Sequence, residues 1–227
     1  MRLHPHEKTS PTRLLVWAGV FLALSLVLIA LFYRNAYSSL DQLGFSIMET
    51  LRTPWLTVLM SAVTHMGGAE VLAPLGVLVV ILFLVKGYRI EALIIACTLL
   101  IGDWLNDWLK ELFVRPRPQG WNLIERPDSF SFPSGHAMVG LAFYGILAHF
   151  LRTNLAHAAY AAVIQPGRVL LVTLICASRV YLGVHYLSDV IAGLCMSAVW
   201  YCAVRYLYDL AVIRFRPQIL RPVTPWK

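Results

Sequence analysis

The sequence predicts an all-α fold, a polytopic membrane helix bundle of about six transmembrane helices forming a single domain over residues 1–227. Three observations carry this expectation. Hydrophobic residues make up 59% of the chain and charged residues only 14%, with a mean hydropathy of +0.67. Soluble chains carry about a quarter charged residues, so this one lacks the polar groups to cover a globule. The apolar residues are gathered into runs long enough to cross a bilayer. The basic residues cluster at the ends of those runs, where lipid headgroups lie. The net charge of +7 therefore points to membrane topology and not to nucleic acid.

The elements follow in chain order. Residues 14–33, LLVWAGVFLALSLVLIALFY, are twenty positions without a charge. At 1.5 Å per residue they match a hydrocarbon core of about 30 Å. Arg2, Lys8 and Arg13 precede the run, as in a signal peptide. The run is longer than a signal core, however, and no small-x-small cleavage site follows it, so it reads as a retained first span. Residues 55–66 are apolar and end at His65 and Gly67-Gly68. They fit an interfacial helix or the start of a long second span, whose firm part is 71–85. Spans three to six are expected at 90–112, 136–151, 168–184 and 188–213. The stretch 38–68 has no residue-level account beyond a place at the entrance. With both termini cytoplasmic, eleven of the nineteen Lys and Arg fall inside, seven outside, and Arg205 within span six. The positive-inside rule favours this orientation, in the cell's inner (plasma) membrane. Cys97, Cys176, Cys195 and Cys202 sit in apolar stretches without metal-ligand spacing, so they read as packing residues, with no disulfide framework and no metal site.

Three polar clusters lie on the outer side in this topology: KELFVRPRP at 110–118, PSGH at 133–136, and SRVYLGVHYLSD at 178–189. Charges at a membrane boundary are costly and mark function. Lys110, Arg117 and Arg179 bring three cations from separate places. Arginine offers a planar fork suited to phosphate oxygens and lysine a point charge, and such cations gather only around an anion. Pro116 and Pro118 stiffen the backbone at Arg117. Ser134 can cap the helix that follows, and Gly135 lets a ligand approach its N-terminal N–H groups. His136 stands beside them as a proton donor. His185 and Asp189, four residues apart, share a helix face. A carboxylate on one imidazole nitrogen frees the other to attack. Taken singly, each of these has a plainer reading, as a helix-end histidine, a surface hydrogen bond or a snorkelling arginine. Together they are a parts list for phosphoryl transfer without a metal. Asp103, Asp107 and the Arg205/Asp209 pair read as structural, the His65/Glu70 pair as structural or as part of a lipid entrance, and Trp104, Trp108 and Trp121 as an interfacial aromatic belt or as the lining of a lipid-tail route.

Lys110-x6-Arg117-Pro118, then Pro133-Ser134-Gly135-His136, then Ser178-Arg179-x5-His185-x3-Asp189 resembles the type 2 phosphatidic acid phosphatase superfamily in its integral membrane branch. The motif-bearing core is 110–189, and no motif position departs from the pattern. The resemblance implies that His185 takes the phosphoryl group, Asp189 orients it, and His136 protonates the leaving oxygen. It also implies that Lys110, Arg117, Ser134, Gly135 and Arg179 hold the phosphate, without metal or cofactor. His185 must then be neutral and His136 protonated, which implies a bell-shaped pH profile. The implied partner is a membrane lipid phosphate or diphosphate. An outward-facing site puts undecaprenyl diphosphate first, ahead of phosphatidylglycerol phosphate, phosphatidic acid and lipid A phosphates. A lipid phosphotransferase shares the same intermediate, and a lipid transporter is the remote alternative. Haloperoxidase chemistry, found elsewhere in the superfamily, fits poorly with a chain built of spans.

Overall fold

The computed structural model describes residues 11–34, 36–154 and 158–219. Eight helices run through them: α1 Pro11–Tyr33, α2 Ser38–Thr50, α3 Pro54–His65, α4 Ala69–Val85, α5 Arg89–Phe113, α6 Gly135–Asn154, α7 Ala158–Tyr181 and α8 Leu187–Ile219. The fold is all-α, as the hydropathy runs predict. Four helices are long and apolar enough to cross a membrane: α1, α5, most of α7 and most of α8. A fifth span arises if α3 and α4, bent by 43° across the break at 66–68, are taken together.

The sequence count of about six spans differs from this for a physical reason. The expected fourth span is α6, whose 20 residues include His136, His149 and Arg152. Its hydropathy is lower because protein, not lipid, surrounds it. Ala137, Met138, Ala142, Phe143, Ile146 and Phe150 are all buried. Helix α6 packs between α5, α7 and α8, and α1 lies along the outside of α8. Leu15, Val16, Trp17, Leu26 and Val27 of α1 are exposed, as lipid-facing side chains should be. The expected fifth span also moves: α7 begins ten residues before position 168 and ends at Tyr181. The chain then turns through Gly183, at φ +71°, before α8. The stretch 38–68 is two further helices, α2 and α3. Several of the cations assigned to the inside, Arg2, Lys8, Arg221 and Lys227 among them, lie outside the described residues.

Within a bilayer, helices associate through close packing more than through water expulsion. The main core is formed by Ile95, Phe143, Ile146, Ile175, Val180 and Val190, from α5, α6, α7 and α8. A second core at one end ties the long segment 114–134 to the bundle. There Phe132 stacks on Phe32 of α1, with centroids 5.0 Å apart, and meets Phe113 of α5 edge-on at 4.9 Å. On its other flank Trp121 stacks on Phe45 of α2 at 4.9 Å, and Arg52 donates to the Trp121 carbonyl at 2.6 Å. Trp121 is therefore a packing residue and not part of an interfacial belt. Trp104 and Trp108 stay exposed on α5 and fit that belt. The four cysteines are all free. Arg205 pairs with Asp209 at 2.9 Å and with His149 at 3.1 Å at the opposite end of the bundle, as the i, i+4 spacing suggested.

Helix α8 comes unusually close to the start of α6. A Cβ on Gly193 would lie 2.7 Å from the Ser134 carbonyl oxygen and 3.0 Å from the Ala137 Cβ. The Gly193→Ala variant is expected to push the two helices apart and cost about 1–3 kcal/mol. A lower thermal midpoint in detergent, with reduced turnover, is the expected result. A variant with the wild-type midpoint would show that the contact yields.

Candidate active site

Helix α5 ends at Val114, whose φ of 49° lies in the left-handed region, a strained choice for a β-branched residue. That turn swings the following RPRP segment back over the bundle end. In an extended segment, alternate side chains point the same way, so Arg115 and Arg117 both reach inward. Arg117 is held by many acceptors. Its Nε donates to the Ser129 carbonyl at 2.7 Å and its Nη2 to Ser129 Oγ at 3.0 Å. Its Nη1 donates to the Val184 carbonyl at 2.9 Å and faces His185 Nε2 at 3.0 Å.

This last contact settles the tautomer. A guanidinium only donates, so Nε2 offers its lone pair and Nδ1 carries the proton. Nδ1 faces Asp189 Oδ2 at 3.3 Å. The other Asp189 contacts come from the Tyr186 N–H at 2.9 Å, from Ser131 Oγ and from Arg115 Nη1. Asp189 is fully buried and His185 is 2% exposed. The i, i+4 pairing drawn from the sequence is present, although His185 itself precedes α8 in the turn.

The remaining predicted residues converge on the same place. The Ser134 backbone carbonyl accepts the Met138 N–H at 2.9 Å, opening the hydrogen-bond ladder of α6, while the Ser134 N–H donates to the Asp189 carbonyl at 3.1 Å; the side-chain cap expected of this serine is not made. Its hydroxyl is buried and makes no hydrogen bond, and the same holds for Arg179 Nε. Buried polar atoms are normally satisfied, so both are suited to a ligand's oxygens. Gly135 lies where a Cβ would be 2.8 Å from Asn106 Oδ1, so the absence of a side chain leaves room for Asn106, and Lys110 Nζ lies 3.8 Å from the same point. Lys110 also reaches Asp107 at 3.2 Å. Arg179 donates from Nη1 to Thr64 Oγ1 at 2.6 Å. His136 lies within electrostatic reach of Arg179, His185, Lys110 and Arg117. All eight residues singled out from the sequence thus sit at one end of the bundle. A cavity of about 550 Å³ adjoins Arg117 on the loop side, lined in part by Asn122, Arg126, Asp128 and Ser129. Among the described residues no group of three or more His, Cys, Asp or Glu is arranged to hold a metal ion.

Sequence reasoning missed Arg115, Asp41, Ser131 and Thr64. Arg115 was legible in principle, two places before Arg117 on an extended segment. Asp41 and Thr64 reach the site only because α2 and α3 fold over it, and no local spacing announces that. The α3–α4 break also serves the site. A Cβ on Gly67 would lie 3.0 Å from the His136 ring and 2.5 Å from Ile175. Tyr144 of α6 donates to the Met66 carbonyl at 2.5 Å, and His65 pairs with Glu70 at 2.8 Å across the break.

A buried imidazole paired with a carboxylate, facing converging cations and a helix N-terminus inside a membrane bundle, defines a phosphate-handling membrane protein. The comparisons with known proteins agree. Residues 91–212 match the model of the PAP2 superfamily. The chain is 31% identical to phosphatidylglycerophosphatase B of Bacillus subtilis (strain 168) over 192 residues, covering 84% of this chain and 94% of that protein. The crystal structure of a transmembrane PAP2 type phosphatidylglycerolphosphate phosphatase from Bacillus subtilis superposes with a TM-score of 0.80 at 30% identity, over 88% of this chain and 98% of that one. LpxE of Aquifex aeolicus shares the fold at a TM-score of 0.56 and 24% identity, over 72% and 92% of the two chains. The chain belongs to the PAP2 superfamily and is a multi-pass membrane lipid phosphatase of that family.

Burial pulls His185 down to about 4, and the nearby Arg117 and Arg179 charges add to the effect against the pull of Asp189. The free imidazole is therefore neutral, and able to attack, at all pH values well above 4. The acid limb of kcat/KM is expected to fall only as pH drops through about 4, far below an ordinary histidine near 6.5. Arg117→Gln removes a cation that disfavours the imidazolium, so it is expected to move that limb to higher pH. A limb at 6.5 in the wild type would contradict this placement of His185.

Proposed function

We propose that the protein hydrolyses the terminal phosphate of a membrane lipid through a covalent phosphohistidine on His185, without a metal. The observation that carries this reading is the fixed tautomer of His185. Its Nδ1–H is committed to the buried Asp189, and its Nε2 lone pair is turned toward Arg117. When a phosphate occupies the site, its oxygens take over the Arg117 N–H groups and free Nε2.

Nε2 then attacks phosphorus in line, and the bond from phosphorus to the lipid oxygen breaks. His136 gives that oxygen its proton, so the lipid leaves as an alcohol. Lys110, Arg117, Arg179, Ser134 Oγ and the first N–H groups of α6 hold the phosphoryl oxygens, where charge is spread in the transition state. In the second step water attacks phosphorus. The N–P bond breaks, His136 takes the water's proton, and inorganic phosphate leaves. Three cations and a helix N-terminus supply the positive field that a divalent ion supplies elsewhere.

The substrate proposed first is phosphatidylglycerol phosphate, because the relative at 31% identity and the structure that superposes at a TM-score of 0.80 carry that activity in their names. Undecaprenyl diphosphate, first on the sequence alone, becomes the second reading. It is favoured by an outward-facing site, which the balance of basic residues supports. Hydrolysis is preferred to phosphotransfer because the relatives that share the chain's length are named as phosphatases.

The test is phosphate release by the purified full chain in detergent with EDTA present. Phosphatidylglycerol phosphate, undecaprenyl diphosphate and phosphatidic acid are compared, with His185→Ala as control. Release that persists in EDTA, with a loss of about a thousandfold or more in His185→Ala, is the expected outcome, and the relative kcat/KM values rank the lipids. Loss of release in EDTA would overturn the metal-independent reading. Appearance of label from a radioactive donor in a second lipid, in place of free phosphate, would show transfer.

A further inference from the structure

The phosphohistidine reaction makes no use of Arg115 or Asp41, yet both are built tightly into the site. One Arg115 guanidinium bridges two carboxylates. Its Nη2 pairs with Asp41 Oδ2 of α2 at 2.6 Å, and its Nη1 pairs with Asp189 Oδ1 of α8. Nη1 also donates to Ser188 Oγ at 2.7 Å. The plane is caged by aromatic rings: its Cζ lies 4.1 Å from the Tyr186 ring centroid, 5.7 Å from Tyr37 and 5.9 Å from Phe32. The other Asp41 oxygen, Oδ1, accepts the Ser188 N–H at 3.0 Å. Asp41 therefore caps the first turn of the helix that carries Asp189. Side-chain exposures are 14% for Arg115, 7% for Asp41 and 0% for Asp189.

We propose that Arg115 and Asp41 are positioning residues for the reaction: Arg115 keeps Asp189 ionised and aimed at His185 Nδ1, and Asp41 sets both the fork's direction and the charge of the cluster. The proposal rests on the reading of His185 as nucleophile. A carboxylate removed from water needs a paired cation to stay charged. A protonated Asp189 would be a poorer acceptor for the Nδ1–H and would release the tautomer that leaves Nε2 free. Arg115 alone would cancel the Asp189 charge. With Asp41 added, two carboxylates and one guanidinium leave a single net negative charge beside His185. That charge is worth most when Nε2 bonds to phosphorus and the imidazole becomes cationic. The effect thus belongs to the transition state and should appear in kcat. Neither residue is placed to touch the phosphate, so KM should be spared.

The experiment uses the purified full chain in detergent with a short-chain phosphatidylglycerol phosphate as probe. It compares wild type with Asp41→Asn and Arg115→Ala, and records kcat, KM and thermal midpoint for each. Asp41→Asn is expected to lower kcat about tenfold or more with KM changed less than about twofold, a loss typical of misplaced catalytic groups. Arg115→Ala should lose about a hundredfold. Millimolar guanidinium, entering the space between the three rings, should restore part of that loss while leaving the wild type unchanged. Wild-type kcat in Asp41→Asn overturns the proposal. So does a rise in KM with kcat unchanged, which would make these residues substrate binders. If Arg115→Ala fails to fold, the near-isosteric Asp41→Asn decides alone. An inert wild type on all three lipid phosphates would instead overturn the phosphatase reading, and this proposal with it. An active wild type with an unaffected Asp41→Asn overturns only the positioning role.

Discussion

The site end of this helix bundle is organised around one buried charge. Asp189 has no contact with solvent, and a carboxylate in that position is tolerable only when it is surrounded by donors and paired with a cation. Four donors come from three segments: the His185 ring and Tyr186 backbone in the turn before α8, the Ser131 hydroxyl in the segment before α6, and Arg115 just after α5. Its backbone carbonyl, in turn, accepts the Ser134 N–H at the head of α6. Meeting the needs of one carboxylate therefore fixes three chain segments relative to each other. Those segments carry the three motifs.

Cations that would repel each other in an empty cavity are kept apart by local acceptors. Arg117 is tied to the carbonyls of Ser129, Phe130 and Val184. Arg179 is tied to Thr64, Lys110 to Asp107, and Arg115 to Asp41 and Asp189. Burial pulls Arg117 down to about 10 even with Asp189 nearby, so the guanidinium remains charged at neutral pH. In the proposed reaction these cations are thus in place before any phosphate arrives. Preorganised charge of this kind avoids the reorganisation that water would require at the moment of reaction.

The membrane shapes the rest. Helix α1 turns most of its side chains toward lipid, while α6 is enclosed by its neighbours. The helix that begins at the phosphate cradle is also the one that hydropathy alone ranks lowest among the expected spans. Its polar residues are affordable because protein surrounds it. The bent α3–α4 pair brings Thr64 to Arg179 and Gly67 to His136, so the break lines the cradle as well as interrupting a span.

By itself the sequence determined the all-α membrane class, the approximate limits of the long helices, and the eight residues that converge at one end. Those features are local: hydropathy over twenty residues, an i, i+4 pair, a serine before a glycine, prolines flanking an arginine. The tertiary structure alone decided which nitrogen of His185 faces Arg117, which groups pair with Asp189, and that residues from 38–68 reach the site. Asp41 and Asp189 are 148 positions apart, and Thr64 and Arg179 are 115 apart. No periodicity links residues at such distances. Only the closing of α2 and α3 over the bundle end brings them together, because a buried charge accepts partners by proximity and geometry, whatever their order along the chain.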